Sequence, residues 1–559
     1  MNSSLPVEEV NHGLPAWLAS ALIKRRDLAP RFVYWRQRLA RQSRGWRRRL
    51  RRQLAVGVTG AALLLAVAGA RAQIDPAAAD NAITVVNGQV AIVANGQCSL
   101  MEAIQNANNK TNGRPYTDCA AGNPNGADTI NLPTNGLFTL NSAFLPDALV
   151  GPIGLPWIST AVTINGNGST IQRGSGAPNF RVMAVGYQGN LTLNNTTVRG
   201  GSLDNFAACY EPPYDVTVGG AGILNQGQLT ITESTISENA FECNEMAGGG
   251  GIFNIGTLTV STSTIRDNTV YSSYSAYGGG IYNSGTLTIT ASHVDANLAD
   301  AYERSGGGGI LNSGTLTISG STIRDNAAYG VSGGYGGGIR SEGSLSISNS
   351  TLSGNRSFGN HGSSGGGITA WGQLVILDST VHSNQASGYD GSTSGVGVTA
   401  SGTSYIFGST FVANSILLIG DNIPEITPAI GNYGIMVIAN STVSGNEVLG
   451  VGNYGDLTIA NSTITANISG IRAVCGWGSE EDITRLQRTI VSGNTGSEVV
   501  LDNQDQEGCP AISVDSHNLF GKNGNAGVSG FTPGPTDIVP AAGLNAILSP
   551  LANNGGPTQ

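Results

Sequence analysis

Six segments of this chain restart on nearly the same words: GGAGILNQGQLTI, GGGGIFNIGTLTV, GGGIYNSGTLTI, GGGGILNSGTLTI, GGGIRSEGSLSI and GGGITAWGQLVI. Their aligned residues Ile223, Ile252, Ile281, Ile310, Ile339 and Ile368 stand 29 apart, and Val398 follows 30 further on. A second signature of the STIRDN type closes the units at Asn239, Asn268, Asn297, Asn326, Asn355, Asn384 and Asn414, with related endings at Asn446, Asn467 and Asn494. A period of this size marks one supersecondary unit that buries its apolar face only by stacking on the next. Inside a unit the apolar residues alternate over short runs, as in Leu258 and Val260, Leu287 and Ile289, Leu316 and Ile318. Period two means strand. Three such strands, bounded by Gly, Asn and Ser, fit one repeat. Gly and β-branched residues dominate, so no helix of useful length fits. The fold class that follows is all-β, a parallel β-helix with about twelve coils from Thr170 to Thr489. Coils about 4.8 Å apart make that stack about 55–60 Å long.

The small residues have structural work in such a fold. Gly249–Gly251, Gly278–Gly280, Gly307–Gly309 and Gly336–Gly338 suit positive φ and close backbone stacking at a corner. A phosphate-cradling loop would need a following helix, and none is predicted. Asn225, Asn254, Asn283 and Asn312 recur at one position, where stacked side chains hydrogen-bond along a ladder.

Charge divides the chain in two. Residues 1–72 hold 14 Lys and Arg against three acids, leaving 14 basic and 34 acidic residues in 73–559. An acidic body argues against nucleic-acid binding, which needs cations against phosphates. In the basic part, Arg47, Arg48, Arg49, Arg51 and Arg52 precede an uncharged run from Leu54 to Ala70, and Ala70-Arg71-Ala72 follows. That is the pattern of a signal peptide with a long basic n-region and an A-x-A cleavage site. Its run of 17 residues is short for a spanning helix of about 20. Membrane contact is expected only through this leader, with an uncleaved signal anchor as the alternative.

The segment Cys98–Ile104 reads CSLMEAI and closely resembles the CSLREA motif at the start of secreted bacterial β-helix proteins. Cys119 and ADTINLP (127–133) continue the likeness. TIVSGN (489–494), HNLFG (517–521) and LSPLANNGGPTQ (548–559) resemble the closing part of the choice-of-anchor Q family. The GGGI repeats are similar, more loosely, to chlamydial polymorphic outer-membrane proteins. The resemblance implies a right-handed, single-stranded β-helix exported to the cell surface, and it implies no defined activity. Met101 stands where the motif has Arg, and the chain stops at Gln559 where relatives continue. The domain layout expected is therefore 1–72 leader, 73–135 N-terminal cap, and 136–559 coils with an incomplete C-terminal end.

The same segment has a physical reading of its own. Ser99-x-x-Glu102 is a capping box, and Leu100, Ala103 and Ile104 give a short helix an apolar face. A solenoid end exposes core and needs a cap. Residues 98–108 are expected to close the N-terminal mouth, with a recognition helix as the sharper alternative.

Six Cys, all after the leader, point to an oxidising compartment. Coil register pairs Cys209 with Cys243 and Cys475 with Cys509, in adjacent loops on one edge, and leaves Cys98 with Cys119 as the local pair. No C-x-x-C pattern supports zinc or redox work. His12, His293, His361, His382 and His517 show no metal-ligand spacing, and no G-x-S-x-G elbow occurs. No cofactor is expected. The best charged cluster is Glu238, Arg266, Asp267, Asp295, Arg324 and Asp325; in register, Arg266, Asp295 and Arg324 stack as plus, minus, plus. A surface ladder explains it more simply than an active site.

Every coil from 235 to 389 carries an aromatic two to five residues beyond its closing Asn: Phe241, Tyr271, Tyr302, Tyr329, Phe358 and Tyr389. Packing over a coil corner would account for them. An exposed row of rings on one edge, suited to an extracellular glycan, would too. The acids Glu242, Glu245, Asp300, Glu303 and Asp390 lie among them and argue against strongly anionic glycans. The reading favoured is an exported, non-catalytic, adhesin-like surface or extracellular protein that binds a polysaccharide or a host-surface ligand through these residues. The alternatives are a β-helix polysaccharide lyase or glycoside hydrolase, and a structural spacer.

Overall fold

The computed structural model describes residues 82–110, 115–146, 150–204, 219–388, 393–416, 427–474, 483–502, 511–514 and 517–547. The leader, Cys209, Cys475, Cys509 and Tyr389 lie outside the described residues. Among those described, no helix is long and apolar enough to cross a membrane.

Every inter-strand ladder is parallel and joins equivalent residues of successive repeats. The chain therefore winds as a parallel β-helix. A 29-residue coil holds five short strands, not the three expected. In one coil they are Ile252–Asn254, Thr257–Ser261, Thr264–Arg266, Thr269–Ser272 and Ser275–Tyr277. Among the described residues they stack over the coils into five columns. The first contains 13 strands. The second and third merge into one sheet of 27, because the long strands Ala161–Arg173 and Asn190–Arg199 run through both. The fourth contains eight strands and the fifth only five.

The coil narrows toward the C-terminus. Asn432 and Asn453, equivalent residues, are 21 apart, and that coil holds only three strands: Pro428–Asn432, Ile435–Ala439 and Thr442–Ser444. The fourth column ends at Ser415–Ile416 and the fifth at Ser363–Ser364. The extra residues of the wide coils thus form a lateral annex. The main core is aliphatic, with Leu258, Val260, Ile265 and their coil equivalents fully buried. The annex has its own small core of Leu203, Phe241, Val270, Ala276, Ala299 and Ala301.

Two asparagine ladders hold the corners. The expected one runs Asn225, Asn254, Asn283 and Asn312, each Nδ2 donating to the Oδ1 of the next at 2.6–2.7 Å, and ends on Ser341 Oγ at 3.0 Å. The second is longer and lay unrecognised in the STIRDN signature. It runs from Asn239 through Asn268, Asn297, Asn326, Asn355, Asn384, Asn414, Asn446 and Asn467 to Asn494, with Nδ2 to Oδ1 distances of 2.8–3.1 Å. Glu498 closes it, accepting from Asn494 Nδ2 at 2.6 Å. A serine row does similar work: Ser263 Oγ accepts from the Ser234 backbone N–H and donates to the Ser261 carbonyl. Buried polar groups cost free energy unless paired, and these rows pair theirs between coils, apart from Asn225 Oδ1 at the start of the shorter ladder.

The N-terminal mouth is closed by the helix Leu100–Asn108. Ser99 Oγ accepts from the Glu102 backbone N–H, and the Glu102 carboxylate accepts from the Ser99 N–H. Met101, at the motif's Arg position, is buried. Cys98 and Cys119 are disulfide-bonded, with Cα atoms 4.5 Å apart. Cys243 is disulfide-bonded too, while its expected partner lies outside the described residues.

Candidate functional site

Strand alternation decides which annex residues can meet a ligand. In the fourth column the third position faces outward, and register makes one row of it: Asp204, Glu242, Tyr271, Asp300, Tyr329 and Phe358; Ser387, next in register, is buried. The second position faces inward: Leu203, Phe241, Val270, Ala299, Ala328, Ser357, Ala386.

This parity sorts the aromatics. Tyr271, Tyr329 and Phe358 stand three residues past their Asn and share the outward row. Phe241 stands two past Asn239, so it points inward and is only 1% exposed, packed in the annex core. Tyr302 falls beyond the strand Leu298–Ala301 and is 68% exposed in the turn. The expected unbroken row of rings is thereby interrupted, with Asp300 between Tyr271 and Tyr329 in register.

Where Tyr329 and Phe358 adjoin, the surface opens into a groove of about 390 Å³. Its walls are Tyr329, Phe358, Asp300, Arg356 and Gln385, and small Ala301 and Gly330 leave the space between them. The two rings meet edge to face, centroids 6.3 Å apart and planes at 84°. Among the described residues, the side chains of Asp300 and Arg356 have no hydrogen bond or ion pair. Burial alone pushes the Asp300 carboxyl above the usual carboxylate range. Ser357 borders the groove from the inward row, 2% exposed, its buried hydroxyl without a partner among the described residues. Such uncompensated polar groups are uncommon in folded proteins. Sequence reasoning passed over Arg356 and Gln385, which occupy the first outward position of the same strands.

Other aromatic clusters are occupied by packing. Arg340 lies under Trp371 at 4.3 Å and Tyr277 at 4.7 Å, and its guanidinium donates to Glu342 at 2.9 Å. Tyr433 and Tyr454 stack at 4.6 Å, and burial pushes the Tyr433 phenol up to about 12. Phe253 and Tyr282 stack at 4.5 Å. The charged stack is in register as expected, Arg266 beside Asp295 beside Arg324. Only Arg324 bonds Asp295, at 3.2 Å, while Arg266 turns to Asp267 at 2.5 Å. Exposed pairs of this kind contribute about 0–1 kcal/mol. Among the described residues no three His, Cys, Asp or Glu gather as metal ligands.

No protein-family model matches this chain, and no curated protein sequence matches it. Among solved structures, the chain is similar to the A-module of the mannuronan C-5 epimerase AlgE4 of Azotobacter vinelandii, at 15% identity, covering 74% of this chain and 91% of that one, with a TM-score of 0.20. The assignment of a parallel β-helix rests on the strand register of this chain itself.

Proposed function

We propose that this protein is an exported, non-catalytic β-helix that binds an extracellular glycan in the annex groove. The observation that carries the reading is the groove's composition: two aromatic walls beside Asp300 and Arg356, whose side chains have no hydrogen bond or ion pair among the described residues. Aromatic faces give a sugar apolar contact, and convergent polar groups orient it. Hydrolysis of a glycosidic bond ordinarily needs two carboxyls flanking the bond. The described lining supplies one, Asp300, so binding is favoured over catalysis.

The test is a glycan array probed with the full-length chain and with the double variant Tyr329→Ala/Phe358→Ala. Binding should fall at least about tenfold, equivalent to about 1.4 kcal/mol. Both rings face outward, so the melting temperature should stay nearly unchanged. Retained binding, or lost stability with no glycan bound by the parent, would defeat the reading.

A further inference from the structure

Resting on the groove reading, we infer that Arg356 makes the site selective for a carboxylate-bearing sugar set in an otherwise neutral glycan. The arginines elsewhere on the coils are mostly engaged. Arg199 meets Gln172, Arg266 meets Asp267, Arg324 meets Asp295, Arg340 meets Glu342 and Arg472 meets Asp502. Among the described residues Arg356 has no such partner, yet it lines the groove beside Phe358. A guanidinium presents a planar fork of N–H donors that matches a carboxylate in bidentate fashion.

The neighbouring rungs leave that fork free. In register, Arg356 is flanked by Ala327 and Gln385, neither of them acidic. Asp300 is in the outward row two coils back, about 10 Å away at the usual strand spacing. Gln385 donates one N–H to Ser415 Oγ, which leaves its carbonyl to accept from a sugar hydroxyl.

The same row limits how much negative charge the ligand can bring. Running toward the N-terminus from the groove it carries Asp300, Glu242 and Asp204, interrupted only by Tyr271. A chain with a carboxylate on every sugar would lay like charges along those acids. One carboxylate at Arg356, with neutral sugars over Tyr329 and toward Asp300, avoids the conflict. This refines the expectation that the acidic surroundings disfavour strongly anionic glycans.

The experiment measures binding of the full-length chain to gellan and xanthan, whose repeating units mix an acidic sugar with neutral ones. Carboxyl-reduced forms of both, polygalacturonate and neutral glucomannan complete the set. The parent should bind a native heteropolysaccharide at least tenfold tighter than its reduced form and tighter than polygalacturonate. Arg356→Gln should bind native and reduced forms alike, with an unchanged circular dichroism spectrum. Asp300→Asn should tighten native binding by about twofold, the scale of a screened repulsion at that distance. Equal binding of native and reduced forms by the parent, or a preference that survives Arg356→Gln, overturns the inference while a loss in Tyr329→Ala/Phe358→Ala still upholds the groove. If no glycan binds here or on the array, both readings fall.

Discussion

Asn326→Ala is expected to destabilise the protein by about 3–4 kcal/mol, since each buried group left unpaired costs about 1–3 kcal/mol. Asn326 is fully buried at the middle of the longer ladder. Its Nδ2 donates to Asn355 Oδ1 at 3.0 Å, to the Val294 carbonyl at 2.8 Å and to the Arg324 carbonyl at 2.9 Å. Its Oδ1 accepts from both the backbone N–H and the Nδ2 of Asn297, at 3.0 and 2.9 Å. Alanine removes five contacts, leaving donors on the Asn297 coil and acceptors on three coils, at Val294, Arg324 and Asn355, without this partner. The control is Asn349→Ala, at an exposed left-handed turn position with φ of 48°, where a cost of about 1 kcal/mol is expected. Urea unfolding of both variants against the parent measures the difference. Equal midpoints for the two would show that the ladder contributes little.

Gly308→Ala should be worse still, and for a steric reason. A Cβ at Gly308 would lie 2.2 Å from the Ala327 carbonyl oxygen, 2.4 Å from its carbon and 2.5 Å from the Gly337 oxygen. All three atoms are backbone, Ala327 on the far side of the same coil and Gly337 on the next one, so no side chain can swing away. Interiors are close-packed and yield little. The coil stack must open at the annex corner, and soluble yield should fall sharply. Gly320→Ala is the informative comparison. Its φ is +56° but the nearest atom to a new Cβ is 4.0 Å off, so only the left-handed backbone penalty of about 1–2 kcal/mol applies. If both variants express and melt alike, close coil approach is not what the glycine corners provide.

Much of this architecture was legible because a solenoid repeats its instructions. The 29-residue step placed Arg266, Asp295 and Arg324 on neighbouring strands, and the structure has them in register. The Ser99–Glu102 box foretold its helix. The annex was not legible. After Leu203, Phe241 and Val270 its inward positions run through Ala299, Ala328, Ser357 and Gly334, small residues that make no sustained alternation of apolar and polar, so two of the five strands left little period-two trace. Three strands per coil is what the chain does adopt where the coil shortens to 21 residues. The outward row could have been drawn by counting parity from the closing Asn: three residues on for Tyr271, Tyr329 and Phe358, two for Phe241. The groove itself could not, because it depends on the absence of side-chain bulk at Ala301 and Gly330 and on Arg356 having no acidic partner among the described residues.

The most direct test of the central claim is a crystal structure of the full-length chain with an oligosaccharide that it binds in solution. The account predicts one sugar ring against Phe358 and Tyr329, with its polar groups on Asp300, Arg356 and Gln385. Sugar bound instead at the corner of Trp371 and Tyr433, with the annex groove empty, would contradict it.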